Sequence, residues 1–285
     1  MAQGLLSTLP GKLIALAALV GATTTVWKVL GPPLRAVAER LVRRRRLGRR
    51  FQQLACDVQI DYFQHLLGQP AQYVNQSDTT DEIEHVFVFR EAYVQAVTDQ
   101  HGKVVYFSVT CRTRQFQPKL NYHPGGPDQF VSVKLGRTRF AQLGDTPDGV
   151  HAWLGARRFG YVESYNLGNP GNYQTYMFAL NDAGRDETAG EYVAGLFPSP
   201  GGSEVWLGLF DGSSEVARWL DQQGVSRFRG AVAINTYAVV SAGAAVEMFG
   251  DGSGWKSAFG FGPDYDQVRT SPADTGVRRR LWPRN

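Results

Sequence analysis

The sequence predicts an α+β protein with one N-terminal transmembrane helix, a juxtamembrane helix and a mainly antiparallel sheet domain with a few helices. Three observations lead to this fold class: an apolar stretch near the N-terminus, helical spacing of apolar residues after it, and alternating apolar runs separated by glycine-containing turns from about residue 85 onward. Hydrophobic residues make up 43% of the chain and aromatic residues 12%, a composition typical of a packed domain and not of a disordered one.

The apolar stretch Leu13–Leu30 has the length and the flanks of a membrane anchor. At 1.5 Å per residue its helix would reach about 27 Å, close to the roughly 30 Å hydrocarbon core of a bilayer. Trp27 and Lys28 are residue types that lie at the membrane interface. A signal peptide cleaved near Ala22 and a buried core helix are the alternatives. The basic residues that follow the stretch, instead of preceding it, argue against a signal peptide.

A basic block directly follows the anchor. Residues 31–50 contain eight arginines and Glu39, a net charge of +7, and Lys12 and Lys28 add +2; the whole-chain charge of +4 therefore leaves −5 for residues 51–285. Basic residues after an anchor predict an outside N-terminus and a cytoplasmic C-terminal domain at the plasma (inner) membrane. We expect contact with the lipid bilayer and its anionic headgroups through Arg40, Arg43, Arg44, Arg45, Arg46, Arg49 and Arg50. The acidic remainder argues against nucleic acid as a partner.

Composition and charge divide the chain into four predicted regions. They are an outside N-terminus with the anchor (1–30), a basic juxtamembrane helix (31–50), a globular α+β domain (51–272, with a subdivision near 115–128) and a basic tail (273–285). The two cysteines, Cys56 in a helical pattern and Cys111 in a strand pattern, are too few for a disulfide framework or a zinc site.

The first half of the domain is predicted as a helix followed by a hairpin. Apolar residues recur every three or four positions from Phe51 to Leu66, and Gly68 with Pro70 ends that helix. The runs "HVFVFREAYVQAVTD" and "KVVYFSVTCRTR" then predict two antiparallel strands, with a bulge or bend at Arg90-Glu91.

The second half is predicted to continue with strands and one helix. "FVSVKLG" predicts a short strand, residues 139–143 a short helical segment, and "RRFGYVESYNLG" with "NYQTYMFALNDAG" a second hairpin. "SEVWLGLFDGSSEVARWLDQQG" predicts a strand, a turn and a helix that Gly224 closes. "FRGAVAINTYAVVS" predicts a strand, "AAVEMFGDGSGWKSAFGFG" two more, and "PDYDQVRTSPADTG" an irregular segment.

The stretch from Phe51 to Thr113 resembles small outer-membrane lipoproteins of the barrel-assembly accessory type. The resemblance rests on a helix, "LLGQPAQYV", two strands around "DQHGKVV", and the helix-start pattern "LGRTRFAQL" near Leu135. It covers about a quarter of the chain and implies only a helix followed by a hairpin. The chain departs from that family because it has no lipobox cysteine near the anchor and carries a basic block that opposes export.

No catalytic motif stands out in the sequence. The five histidines are isolated, "GDGSG" at 250–254 is neither a nucleophile elbow nor a phosphate loop, and no cofactor or metal is expected. The acidic run "NDAGRDETAGE" misses the spacing of a calcium loop. The pair Asp264 and Asp266 fits one strand face but names no substrate.

Polar residues within apolar strand patterns are the remaining candidates for a site that binds an unidentified protein or a small polar ligand. These candidate site residues are Asn181, Asp182, Asn235, Tyr237 and Asp264. The same residues would equally suit a solvent-facing side of an antiparallel sheet. The sequence therefore favours a membrane-anchored binding, sensing or scaffold domain. The alternatives are an exported envelope-assembly or adhesion domain held by an uncleaved anchor, and an enzyme that uses paired carboxylates.

Overall fold

The computed structural model describes most of the domain and part of the basic segment. The described residues are 37–113, 115–122, 131–143, 146–154, 159–167, 174–184, 192–193, 195–197, 204–207, 213–244 and 257–269. The chain forms two compact units, Met1–Leu47 and Gly48–Asn285. The predicted anchor Leu13–Leu30 and the basic tail lie outside the described residues. Within the part that is described, no helix has the length and apolar character needed to cross a membrane.

The structure confirms the α+β class and the mainly antiparallel sheet. Among the described residues, nine strands form one sheet in the order β1-β2-β3-β4-β11-β9-β8-β7-β10, and all neighbouring strands are antiparallel. The bounds of these strands are Tyr73–Gln76 (β1), Ile83–Val88 (β2), Ala92–Thr98 (β3), Val104–Cys111 (β4), Gly149–Leu154 (β7), Phe159–Leu167 (β8), Gln174–Asn181 (β9), Glu204–Leu207 (β10) and Thr236–Val240 (β11). A separate hairpin joins Lys119–Tyr122 (β5) and Val131–Lys134 (β6).

Five helices with at least five described residues each accompany the strands. Their bounds are residues 37–51 (α1), Ile60–Leu67 (α2), Ser213–Leu220 (α3), Gln223–Ala231 (α4) and Tyr265–Arg269 (α5). A short 3₁₀ helix at Phe140–Gln142 confirms the predicted helical segment there. The pairing of β8 with β9 confirms the second predicted hairpin.

The predicted continuous helix from Phe51 to Leu66 is wrong, because residues 52–59 leave the helical path. Their backbone bonds to the start of β4 instead: the N–H of Asp57 donates to the carbonyl of Val104 at 2.8 Å, and the N–H of Val104 donates to the carbonyl of Val58 at 2.8 Å. Asp57 has a φ of 65°, a left-handed conformation that ends helical geometry. Cys56 therefore lies outside any helix, in contrast to its predicted position.

The predicted first hairpin is a meander of three strands. Arg90 and Glu91 form a tight turn and not a bulge, so that β2 and β3 pair with each other, and the N–H of Phe89 donates to the carbonyl of Ala92 at 2.8 Å. Strand β4 then pairs with β3 as predicted. The sequence pattern predicted one long strand here because β3 is buried on both faces and shows no alternation.

Four predictions in the C-terminal third also need correction. Gly224 does not close a helix but lies in the first turn of α4, where a Cβ atom would be 2.3 Å from the carbonyl oxygen of Gly195. The run "FRGA" belongs to α4, and its strand begins only at Thr236. The segment predicted as irregular contains α5. Of the two strands predicted at 244–262, residues 257–262 are not extended strand, and residues 245–256 lie outside the described part.

The sheet is covered on both faces, which we name by what covers them. The helix face carries Phe107 and Tyr161, whose rings contact Phe63 of α2 at 5.7 Å and Phe228 of α4 at 4.5 Å between centroids. The segment face carries Tyr106, Met177 and Ala238 in a buried cluster with Phe261. Residues 257–264, here called the covering segment, lie on that second face.

Candidate functional site

A row of polar side chains, buried except for the half-buried Asn75, crosses the segment face from β1 to β4. The Nδ2 of Asn75 donates to Oε2 of Glu84 at 2.6 Å, and the Nε2 of Gln95 donates to Oε1 of Glu84 at 2.5 Å. The hydroxyl of Ser108 donates to Oε1 of Gln95 at 3.1 Å. Alternation places these residues on one face, because successive side chains of a strand point to opposite sides. The row is continuous over four neighbouring strands.

Glu84 is the buried carboxylate of this row, with 4% of its surface exposed. Burial raises the pKa of Glu84, while the hydrogen bonds from Asn75 and Gln95 lower it and the charge of Asp264 raises it further. Its described partners are neutral amides, which donate to the two carboxylate oxygens. These donors favour the charged form of Glu84, while burial opposes it.

Side chains of the row bond to the main chain of the covering segment. The Nε2 of Gln95 donates to the carbonyl of Gly260 at 3.2 Å, and the N–H of Gly262 donates to Oε1 of Gln95 at 2.9 Å and to the hydroxyl of Tyr106 at 3.2 Å. The Nδ2 of Asn181 donates to the carbonyl of Phe261. Three strands of the sheet thus hold two consecutive peptide groups, those that join residues 260–261 and 261–262.

Glu82 fixes the beginning of the covering segment. Its Oε2 accepts hydrogen bonds from the hydroxyl of Ser257 at 2.9 Å, the N–H of Ala258 at 3.0 Å and the hydroxyl of Thr80 at 3.1 Å. Glu82 is partly exposed, so this end of the segment is held at the edge of the protein.

Asn181 and Asn235, two of the predicted site residues, lie together at the same face. The Oδ1 of Asn235 accepts from the N–H of Asn181 at 2.8 Å, and its Nδ2 donates to the carbonyls of Asn181 at 2.7 Å and Gly184 at 2.8 Å. The hydroxyl of Thr236 also donates to Oδ1 of Asn235 at 3.0 Å. Both asparagines are buried, at 5% and 6% exposure. Both side-chain amides therefore bond to other protein groups where β9 ends and β11 begins.

Gly262 is required where the covering segment approaches the sheet most closely. Its φ is +87°, and a Cβ atom would lie 2.5 Å from Nδ2 of Asn181 and 3.1 Å from the hydroxyl oxygen of Thr110. Only glycine combines this conformation with such a short distance at little cost.

A second buried carboxylate, Glu163, lies on the helix face. The hydroxyls of Tyr161 and Tyr165 donate to it at 2.6 and 2.7 Å, and Arg229 donates through Nε at 2.6 Å and Nη2 at 3.3 Å. Burial raises the pKa of Glu163, although Arg229 and both hydroxyls stabilise its charged form. Burial lowers the pKa of Arg229, but the attraction of Glu163 outweighs it, so that the net shift is upward. Four donors around one carboxyl favour the ionised pair.

The other predicted site residues are placed apart from the two asparagines. Tyr237 points to the helix face, where its ring lies 6.3 Å from that of Phe107 and 5.7 Å from that of Phe178. Asp182 follows the end of β9. Asp264 precedes α5, and its Oδ1 accepts the N–H of Asp266 at 2.7 Å. Asp264 and Asp266 thus lie at the start of a helix. The prediction that they share a strand face is wrong.

The predicted membrane-contacting arginines lie on α1. Five of them are exposed, and Arg44 and Arg50 are half-buried; the exposed ones are Arg40, Arg43, Arg45, Arg46 and Arg49. The Nη1 of Arg50 donates to the carbonyl of Leu67 at 2.9 Å. Val37, Leu41 and Val42 of the same helix are also exposed, at 52%, 49% and 54%.

The isolated histidines and the cysteines form no reactive group in the described residues. Nε2 of His85 lies 3.5 Å from the hydroxyl of Thr98, and burial lowers the pKa of His85. His123 lies outside the described residues. Burial raises the pKa of both Cys56 and Cys111, so their thiols stay protonated. No group of three histidine, cysteine or carboxylate side chains in the described chain could hold a metal ion, and most of the acidic run 181–191 falls outside that part.

Sequence reasoning missed Glu84, Gln95, Glu163 and Arg229. A signal for the two glutamates was present: each is a charged residue inside an otherwise apolar strand, in "IEHVFV" and "FGYVESYNL". A charge at a buried strand position requires partners and thereby predicts a polar cluster. The partners themselves come from distant parts of the chain and carry no local signal.

Comparisons of the chain with protein-family models, with curated proteins and with solved structures give no match. The resemblance to barrel-assembly accessory lipoproteins implied a helix and a two-stranded hairpin, whereas the corresponding residues form α2 and the four strands β1–β4. Function is therefore argued from the residues themselves.

Proposed function

We propose that the protein is a single-pass membrane protein whose cytoplasmic α+β domain binds or scaffolds a partner. The observation that carries the proposal is α1, which follows the apolar stretch Leu13–Leu30 and exposes both apolar side chains and arginines. Val37, Leu41 and Val42 lie in its first half and most of the arginines in its second half. Such a helix suits the boundary between acyl chains and headgroups.

The arginines of α1 also set the proposed orientation. Each contributes about 1 kcal/mol of attraction near an anionic leaflet, and basic residues close to an anchor keep that side in the cytoplasm. The net charge of −5 on residues 51–285 means that the domain itself would be repelled by the same leaflet. Attachment would therefore depend on the anchor and α1.

A binding role fits the domain better than catalysis. The polar side chains around Glu84 and around Glu163 form hydrogen bonds with other groups of the protein. Burial keeps both cysteine thiols protonated and thus weakly nucleophilic. The described groups thus offer recognition surfaces and stable packing, the features that a scaffold needs.

The orientation can be tested with a C-terminal fusion to a phosphatase that is active only after export. We expect the fusion to the natural chain to be inactive and to fractionate with membranes. Replacing Arg40, Arg43, Arg45, Arg46 and Arg49 by Glu should raise phosphatase activity, because the charge bias that retains this side is reversed. The matched control replaces Arg278, Arg279 and Arg280 of the distant basic tail by Glu and should leave activity low. An active fusion of the natural chain would contradict the proposal.

A further inference from the structure

We propose that the segment face of the sheet is a recognition site for a peptide segment with alternating aromatic and glycine residues, and that residues 257–262 occupy it as an internal ligand. A partner segment of the same chemistry would displace them. This inference rests on the proposed binding role and names the class of partner. The residues involved, "SAFGFG", are those of the covering segment that contact the sheet.

The sheet holds this segment mainly through hydrogen bonds from its side chains. Its bonds to the segment come from side chains and reach main-chain atoms: Glu82 accepts the N–H of Ala258, Gln95 donates to the carbonyl of Gly260, and Asn181 donates to that of Phe261. Gln95 and Tyr106 then accept the N–H of Gly262. Peptide-binding sites likewise obtain affinity from bonds to the peptide main chain, which are independent of the peptide's side chains.

The packing of the covering segment indicates which peptide residues the site prefers. Phe261 is 6% exposed and belongs to the cluster that contains Tyr106, Met177 and Ala238, and Phe259 packs against the same cluster. Gly262 lies at a φ of +87° with room for no side chain. The site therefore selects two aromatic residues separated by one residue, followed directly by glycine.

The side chains that bind the covering segment are also positioned by contacts that do not involve it. Oε1 of Glu84 and the hydroxyl of Ser108 fix the two ends of the Gln95 amide at 2.5 and 3.1 Å. Oδ1 of Asn181 accepts the N–H of Ala183 at 2.8 Å, which orients its amide toward the segment. A receptor that keeps its geometry without the ligand loses little entropy when it binds a new one.

The internal ligand and a free peptide compete for the same site on the segment face. A segment attached to the same chain acts at an effective concentration in the millimolar range, so a free peptide of equal affinity is excluded from the natural protein. Weakening the internal segment should therefore uncover binding of the same peptide added in solution.

The experiment uses the full chain in detergent and a fluorescent peptide of sequence SAFGFGPD. The substitution Phe261→Ala removes the aromatic anchor of the internal segment, and we expect it to tighten peptide binding by about tenfold or more over the natural chain, measured by fluorescence anisotropy. The control peptide SAFGAGPD lacks the second aromatic residue and should bind about tenfold more weakly than SAFGFGPD to the same variant.

A second variant keeps the test decisive if Phe261→Ala does not fold. Glu82→Ala removes the acceptor of Ser257 and Ala258 at the partly exposed end and leaves the buried row intact. Circular dichroism establishes folding of each variant. A folded variant that binds neither peptide up to about 1 mM, the scale of the effective concentration, overturns the inference. Membrane fractionation of the same samples tests the proposed attachment separately, so that each idea can fail without the other.

Discussion

The two buried glutamates of the sheet are held in opposite ways. Glu163 on the helix face is matched by a guanidinium group and two tyrosine hydroxyls, whereas the described partners of Glu84 on the segment face are neutral amides. The first arrangement needs the charge, since its donors converge on a carboxylate. The second holds the carboxyl through amide donors without a described cation, so we expect removal of its charge to cost less. The helix face is thus built for fixed packing, while the segment face resembles a hydrogen-bonding surface occupied by part of the chain.

The largest expected effect comes from breaking the ion pair on the helix face. Arg229→Met leaves the carboxylate of Glu163, which is fully buried, without its cation. Loss of one partner of a buried pair costs about 3–5 kcal/mol in the free energy of unfolding. Denaturant unfolding measures this loss. The exposed Arg227 of the same helix provides the control: Arg227→Met should change stability by less than about 1 kcal/mol. Equal effects of the two variants would remove the contrast between the faces.

Asn235→Ala should have the next largest effect. Its amide takes part in four hydrogen bonds with Asn181, Gly184 and Thr236. An unsatisfied buried partner costs about 1–3 kcal/mol, and several partners are lost together, so we expect a loss of about 2–3 kcal/mol. The exposed Asn121 of β5 is the matched control. A stability loss no larger than that of Asn121→Ala would mean that solvent replaces these bonds and would restore Asn235 as a ligand-facing residue.

Glycine substitutions in the covering segment test how closely it packs. Gly262→Ala places a methyl group 2.5 Å from Nδ2 of Asn181 at a left-handed φ, and we expect it to cost about 1–2 kcal/mol. Gly260→Ala, two residues earlier, meets nothing within 4 Å and should be nearly neutral. Thermal unfolding compares the two variants. If both are neutral, the segment does not approach the sheet as described.

The smallest expected effect is that of Glu84→Gln, and it depends on pH. The pKa of Glu84 is raised in the folded protein, so the charged carboxylate opposes folding at a pH above the folded-state pKa. As the pH falls from there toward the ordinary value near 4.5, the natural chain gains stability relative to Glu84→Gln. At neutral pH the variant should lie within about 1 kcal/mol of the natural chain. Glu163→Gln should cost more at neutral pH, and the reverse order would contradict the comparison.

Local sequence patterns predicted the fold class and most strands, but not the order in which strands pair. The α+β class, the β8–β9 hairpin and the 3₁₀ helix at Phe140 follow from alternation and turn residues. Arg90-Glu91 was predicted as a bulge or bend within one strand, and the separation into two strands was missed because β3 is buried on both faces and shows no alternation. The insertion of β11 between β4 and β9 depends on contacts far apart in the chain, which a periodic pattern does not encode.

The candidate site shows the same division. Asn181 and Asn235 were predicted as site residues because they are amides within apolar strand patterns. The structure brings them within hydrogen-bonding distance. Tyr237 was grouped with Asn235 because residues two positions apart in a strand share a face, but Asn235 lies before the start of β11 and bonds to Asn181 and Gly184. Gln95 carries no signal, because its importance comes from Glu84, Ser108 and Gly262, three residues at distant positions.

Hydrogen exchange at Gly262 tests the central claim that the covering segment separates from an intact sheet. Its N–H bonds to Gln95 and Tyr106, whereas Val239 in the central strand β11 reports on unfolding of the whole domain. The account predicts that the amide of Gly262 exchanges through a local opening, with a protection factor well below that of Val239 and little dependence on low denaturant. Equal protection factors with equal denaturant dependence would show that the segment leaves only when the domain unfolds, and would contradict the claim.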